Sequence, residues 1–141
     1  MTTDASDGAV PAEAIPESAL DTRMGVELIE VTAQRVVARM PVEGNTQPFG
    51  VLHGGANGVI AETVGSIGAN IHAHSLGCVA MGVELSVTHH RSARSGFVTA
   101  TGTPLSQGRT LSSWEIVIVD DDDRRLATGR LTCILRSTTS G

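Results

Sequence analysis

Hydrophobic and polar residues follow two different periods along the chain, and each period predicts one type of element. Apolar and polar side chains alternate over short stretches, as they do in half-buried β-strands. These stretches cover residues 26–32, 35–42, 79–90, 96–105, 111–119 and 126–135. Between the second and third stretches, residues 52–74 carry apolar side chains at the spacing of one long α-helix. The predicted order is therefore two strands, a helix and four strands.

The order of these elements predicts the fold class. Short links between consecutive strands favour antiparallel pairing, and one helix on one sheet is an α+β architecture. The 141 residues fit one domain, which we place at residues 21–138. Residues 1–20 are rich in Ala, Asp, Glu, Ser and Pro, so we expect a mostly disordered lead-in with at most a short helical turn.

The predicted helix has two different faces. One narrow stripe, which we expect to pack on the sheet, holds Ile60, Val64, Ile67 and Ile71. The opposite face has a lone carboxylate among small residues: Gly58, Ala61, Glu62, Gly65, Ser66 and Ala69. Small residues there predict close approach by another backbone, for instance that of a partner subunit. Glu62 would then lie in a crevice, where a carboxylate can act as base or nucleophile; the alternative is a solvated surface residue.

The start of this helix offers hydrogen-bond donors. His53, Gly54 and Gly55 lie where the chain enters the helix, and backbone N–H groups there lack an intrahelical partner. Together with the positive end of the helix dipole, these groups suit a carbonyl oxygen that becomes an oxyanion. A plain turn is the alternative. Gln47, just upstream, could hydrogen-bond a water or a carbonyl, or could satisfy the loop backbone.

Charge and cysteine content exclude several classes of protein. Ten basic and 15 acidic side chains give a net charge of −5, which argues against a nucleic-acid partner. Cys78 and Cys133 lie far apart without CxxC spacing, and the histidine pairs have poor spacing for a joint metal site, so we expect no metal. No signal core or apolar membrane span is recognisable. We therefore expect a soluble, cytoplasmic protein without a membrane partner.

Two segments carry a resemblance to a known family. Residues 47–56 read QPFGVLHGGA and residues 61–66 read AETVGS, and this combination strongly resembles the hotdog-fold acyl-CoA thioesterases. The chain is most similar to the branch of 4-hydroxybenzoyl-CoA and 1,4-dihydroxy-2-naphthoyl-CoA thioesterases. The similarity continues through residues 81–84, 89–96 and 103–105. The joint pattern of HGG and a Glu nine residues after the His is the specific part.

The resemblance implies an architecture and a set of catalytic residues. One long helix would be wrapped by a curved antiparallel sheet of five to six strands. Subunits would form dimers or tetramers, with active sites between subunits. Glu62 would be the nucleophile or the base, and Gly54 or Gly55 would supply the oxyanion-binding amide. Gln47 and His53 would position the thioester carbonyl or the attacking water, and Ser66 would orient the water or the acyl end.

The resemblance also implies where coenzyme A binds and what the enzyme does. The implied coenzyme A contacts are Gly82, His89, His90, Arg91, Ser92, Arg94, Ser106, Gln107, Gly108 and Arg109. Arg91, Arg94 and Arg109 suit phosphates because guanidinium groups bind them bidentately. The predicted reaction is hydrolysis of an acyl-CoA, in particular an aromatic one, without a cofactor. The alternatives are a non-catalytic acyl-CoA-binding module and a hotdog-fold hydratase or dehydratase.

Overall fold

One long helix lies against a six-stranded sheet in the computed structural model, which describes residues 8–139. The helices are α1 (Ala19–Met24) and α2 (Gly54–Ser75). The strands are β1 (Glu27–Val31), β2 (Val36–Pro41), β3 (Cys78–His89), β4 (Phe97–Gln107), β5 (Leu111–Val119) and β6 (Arg125–Ser137). Each predicted strand and the long helix is present within a few residues of its predicted bounds. The α+β prediction is confirmed.

The sheet is antiparallel throughout, with the strand order β1-β2-β4-β5-β6-β3. Three pairs of consecutive strands are neighbours, as the short links predicted. However, β3 pairs with β6 and not with β4, which lies deeper in the sheet. The helix α2 runs antiparallel to β3, since Gly54 lies against His89 and Asn70 binds Ala80, so the chain turns back after α2 directly into β3 at the sheet edge. As a result, β1 and β3 are the edge strands.

The face that α2 turns toward the sheet differs from the predicted face. Ile60 and Val64 are fully buried, as we expected. Ile67 and Ile71 are only half-buried, so the predicted stripe lies partly outside the core. Compared with the predicted orientation, α2 is rotated about its axis so that smaller residues face the sheet.

Several small residues of α2 pack against the chain's own sheet and do not face the backbone of a partner subunit. Three residues of that predicted face are buried under the chain's own sheet: Ala61, Gly65 and Ala69. A Cβ on Gly65 would lie 2.7 Å from Leu131, and one on Gly68 would lie 2.2 Å from the Trp114 indole. The prediction is wrong for these residues because the bulky sheet side chains need glycines opposite them. The half-buried flank of α2 retains Gly58, Glu62 and Ser66.

The segment before β1 is partly ordered. Of the predicted disordered lead-in, residues 1–7 lie outside the described residues, and residues 8–20 include a 3₁₀ turn at Ala12–Ala14 and the start of α1. The Ser18 side chain caps α1, and Gly25 ends it with a φ of 76°. The Thr63 hydroxyl donates to Asp21 Oδ1 at 2.8 Å and ties α1 to α2. Over residues 8–139, every helix is too short or too polar to span a membrane.

Candidate active site

Glu62 lies about two turns into α2, on the half-buried flank. The Ser66 hydroxyl, one turn further on, donates to Glu62 Oε1 at 3.3 Å. On the other side, a Cβ at Gly82 in β3 would lie only 2.4 Å from the same oxygen. The carboxylate is thus held between a hydroxyl group and the bare backbone of a strand. Gly82, predicted as a coenzyme A contact, lies directly against the candidate catalytic residue.

Asn70 fixes this part of β3 to the helix, and sequence reasoning missed it. Its side-chain amide donates to the Ala80 carbonyl at 3.1 Å and accepts from the Ala80 N–H at 2.9 Å. The same NH₂ group donates to the Ser66 carbonyl at 2.9 Å. Asn70 therefore holds β3 two residues before Gly82, where the strand contacts Glu62. The available signal was an Asn one turn after Ser66 in a helix otherwise rich in small and apolar residues.

The two glycine amides at the start of α2 are not equivalent. His53 is the N-cap residue, and its Nδ1 accepts from the Gly55 N–H at 2.8 Å. The Gly54 N–H has no hydrogen-bond acceptor among residues 8–139. Gly54 is therefore the amide that remains available for a substrate oxygen. Eight residues separate it from Glu62, which corresponds to about 12 Å along the helix axis.

A polar cavity of about 400 Å³ lies at the same end of α2. Asn57, which is only 4% exposed, approaches His89 Nδ1 with its NH₂ group at 3.2 Å. Its Oδ1 is buried without a hydrogen-bond partner among the described residues. Gln47 also lines this cavity, but its side-chain oxygen accepts from the Phe49 N–H. In this chain Gln47 thus satisfies its own loop and lies away from Glu62.

Apart from Gly82, the predicted coenzyme A contacts are split between the two ends of α2. The four consecutive residues His89, His90, Arg91 and Ser92 line the polar cavity at the helix start. Residues 106–109, which form the end of β4 and the turn after it, lie at the other end, where His72 Nε2 is 2.9 Å from the Gly108 carbonyl oxygen. The 18 residues from Gly54 to His72 correspond to about 27 Å. One chain therefore does not bring both groups to the same place.

Several of these side chains already have partners, and others do not. His90 Nε2 lies 2.9 Å from the Thr128 hydroxyl, and Gln107 donates to the Ala33 carbonyl at 2.7 Å. Among the predicted coenzyme A contacts, three exposed guanidinium groups have no ion pair or hydrogen bond within residues 8–139: Arg91, Arg94 and Arg109. These three are the side chains free to bind phosphate, so their predicted role remains a prediction.

Two cavities with mainly apolar walls adjoin Glu62. One, of about 460 Å³, lies between the segment before β1 and the α2 flank, and Glu62 and Ser66 line it together. The other, of about 590 Å³, follows the helix surface from Glu62 to Gly55 and contacts Leu85 of β3. Glu62 thus lies between the first cavity and the second, which leads to the start of the helix. This arrangement suits a substrate with an apolar acyl end.

The buried thiol near this site is not a second nucleophile. Cys133 is fully buried and lies opposite Gly82 in the β3–β6 pairing. Burial, with a further contribution from the negative charge of Glu62, raises the pKa of Cys133 to about 11. The thiol is therefore neutral near pH 7, and the thiolate that would be nucleophilic is scarce. Glu62 is the group in this region that can act as a base or nucleophile.

One long helix enclosed by a six-stranded antiparallel sheet is the architecture of the hotdog fold. The sequence profile of the Thioesterase superfamily matches residues 49–127, and the chain belongs to this family. This membership confirms that the chain is an enzyme of the thioesterase class.

Relatives and a solved structure agree with this family. A proofreading thioesterase, EntH, of Klebsiella pneumoniae is 42% identical over 116 residues, covering 82% of this chain and 84% of the relative. The EntH of Cronobacter sakazakii is 44% identical over 112 residues, covering 79% and 76%. The crystal structure of a thioesterase from Haemophilus influenzae has a TM-score of 0.81 and 32% identity, covering 88% of this chain and 87% of that one.

Proposed function

We propose that this protein hydrolyses an acyl-CoA thioester to the free acid and coenzyme A, with Glu62 as the catalytic carboxylate. The observation that carries the proposal is the position of Glu62 between the Ser66 hydroxyl and the Gly82 backbone, next to an apolar cavity. In one route the carboxylate attacks the thioester carbon, expels the coenzyme A thiolate and leaves a mixed anhydride that water then cleaves. In the other it takes a proton from the attacking water.

We further propose that the complete site forms between two copies of the chain. Glu62 and the free Gly54 N–H are about 12 Å apart along one helix, so one thioester group does not reach both in a single chain. A second copy with an antiparallel α2 would bring its Gly54 to Glu62 and would also join the two groups of coenzyme A contacts. Exposed apolar side chains on the edge strand β3 support such a dimer: Val79, Met81 and Val83.

The first experiment measures thiol release from a panel of acyl-CoAs by the wild type, Glu62→Gln and Glu84→Gln. Glu84 is an exposed carboxylate on β3 and serves as the matched control. Glu62→Gln should lower kcat/KM at least about 100-fold, because the amide neither attacks nor accepts the proton. Glu84→Gln should retain the wild-type rate. Near wild-type activity of Glu62→Gln would remove this assignment, and coenzyme A binding without any hydrolysis would favour a binding module.

The shared site can be tested by mixing two inactive variants. Gly54→Pro removes the free N–H while proline suits the first helical position. If one site uses Glu62 of one copy and Gly54 of the other, a mixed dimer of Glu62→Gln and Gly54→Pro keeps one intact site. Statistical exchange of subunits should then restore about a quarter of wild-type activity. No recovery after verified exchange would mean that each chain carries its own complete site.

The acyl group, location and cofactor requirement belong to the same proposal. We propose aromatic acyl-CoAs as preferred substrates, on the resemblance to the 4-hydroxybenzoyl-CoA and 1,4-dihydroxy-2-naphthoyl-CoA branch. The panel therefore includes benzoyl, 4-hydroxybenzoyl, phenylacetyl, 1,4-dihydroxy-2-naphthoyl and short aliphatic thioesters. The cytoplasm is the proposed location, since coenzyme A thioesters are the substrates. The proposed hydrolysis uses no metal and no redox cofactor, so activity should survive prolonged dialysis against a chelator.

A further inference from the structure

The cavity between the segment before β1 and α2 has aliphatic walls. It measures about 460 Å³, a usual size for a small-molecule pocket. Its apolar lining comes from both sides: Ala12, Ile15, Pro16, Val26, Leu28 and Ile67. None of the chain's three aromatic side chains lines it. If the proposed function holds, this cavity receives the acyl group, because Glu62 and Ser66 stand at its wall.

All the charged side chains that line this cavity are acidic. Glu17 and Asp21 come from the N-terminal segment and Glu62 from α2, and no Arg or His lines the cavity. Glu17 accepts from the Thr22 hydroxyl at 3.0 Å, and Asp21 accepts from the Thr63 hydroxyl at 2.8 Å. Both partners are neutral, and neither Glu17 nor Asp21 forms an ion pair within residues 8–139. The cavity therefore combines apolar walls with uncompensated negative charge.

We infer that this cavity selects acyl groups without a negative charge, with Glu17 and Asp21 as the specificity-determining residues. An acyl group that ends in a second carboxylate would meet like charges and would lose its hydration among aliphatic walls. Thioesters of monocarboxylic acids are therefore substrates, whereas thioesters of dicarboxylic acids, such as succinyl-CoA, are rejected. This inference rests on the proposed function, since it places the acyl group beside Glu62.

The test compares thioesters of equal carbon number that differ in the terminal carboxylate: butyryl-CoA with succinyl-CoA, and pentanoyl-CoA with glutaryl-CoA. The wild type should prefer the uncharged member of each pair at least about 100-fold in kcat/KM. The double variant Glu17→Gln/Asp21→Asn keeps both acceptor oxygens for the threonine hydroxyls and removes two charges. It should raise kcat/KM for the dicarboxylic thioesters about 10-fold or more and so narrow the preference within each pair.

A matched control separates cavity charge from overall charge. Glu13 lies in the same segment, is exposed and does not line the cavity, so Glu13→Gln should leave the preference unchanged. Added salt should narrow the preference of the wild type, because it screens these partly exposed charges. Equal hydrolysis of butyryl-CoA and succinyl-CoA by the wild type would overturn the inference. An unchanged preference in the double variant would overturn it as well.

A binding experiment distinguishes failure of this inference from failure of the proposed function. Non-hydrolysable thioether analogues of butyryl-CoA and succinyl-CoA, titrated by calorimetry, report the same discrimination without turnover. Tighter binding of the uncharged analogue, with no hydrolysis of any thioester, would support the charge selection and reject the proposed reaction. Equal affinities in the wild type would reject the charge selection whether or not the thioesters are hydrolysed.

Discussion

A single methyl group at Gly82 should displace the catalytic carboxylate while leaving the fold intact. In Gly82→Ala the new Cβ would lie 2.4 Å from Glu62 Oε1, whereas ordinary contact begins near 3.4 Å. The carboxylate must therefore move by about 1 Å. Because Oε1 is the end of a flexible side chain, it can rotate away, and we expect a loss of less than about 1 kcal/mol in unfolding free energy. The nearest atom of any other side chain, Leu131 Cδ1, would be 3.3 Å away and needs little adjustment.

Catalysis should respond far more strongly than stability. A shift of about 1 Å in a reacting group can cost about 100-fold in rate, which equals about 2.7 kcal/mol of activation free energy. We therefore expect Gly82→Ala to lower kcat/KM about 100-fold, measured by thiol release from the best acyl-CoA of the panel. Thermal unfolding of the same preparation should show a Tm within a few degrees of that of the wild type.

The matched control for this variant is Gly58→Ala. A Cβ there would meet only Leu85 Cδ2 at 3.8 Å, an ordinary contact, on the same flank of α2. This variant should keep activity within about threefold of the wild type, since it leaves Glu62 in place. Gly82→Ala with near wild-type kcat/KM would refute the argument that strand contact positions the carboxylate. A large fall in Tm that accompanies the loss of rate would instead mark Gly82 as a purely structural residue.

Three further changes test the packing around the site. Gly68→Ala places a Cβ 2.2 Å from the rigid Trp114 indole and should cost about 2–3 kcal/mol of unfolding free energy in urea titrations; unchanged stability would contradict the tight helix–sheet contact. Asn70→Ala removes both hydrogen bonds to Ala80 and should lower the unfolding free energy by about 1–3 kcal/mol. It should also lower kcat, while size-exclusion chromatography should show an unchanged oligomeric state. In the folded chain Cys133 keeps its proton to about pH 11, whereas in the unfolded chain it loses the proton near its ordinary pKa of 9.0. The unfolding free energy should therefore fall between these two pH values, by up to about 2.7 kcal/mol. Cys133→Ala should flatten that alkaline loss, to which neither Lys nor Tyr contributes because the chain has none; an equally steep loss in the variant would assign it to another group.

Part of the candidate site was predictable because its signals are local. His53 and the two following glycines mark the helix start by their order alone, and the structure places His53 as the N-cap. Glu62 stands out as the lone carboxylate on its face of α2. The other contacts were not predictable from spacing. Gly82 reaches Glu62 from a strand 20 residues later, and Asn70 binds the backbone of Ala80.

The sequence alone determined where the helix and strands lie, because the two hydrophobic periods are properties of neighbouring residues. It did not determine which face of α2 is buried. That face depends on Trp114 and Leu131, whose volumes require Gly68 and Gly65 opposite them once the sheet has closed around the helix. The pairing of β3 with β6 was also decided by tertiary structure, since β4 and β5 separate the two strands in the sequence and the local pattern does not specify such a distant partner. The site depends on this pairing, because it brings Gly82 against Glu62.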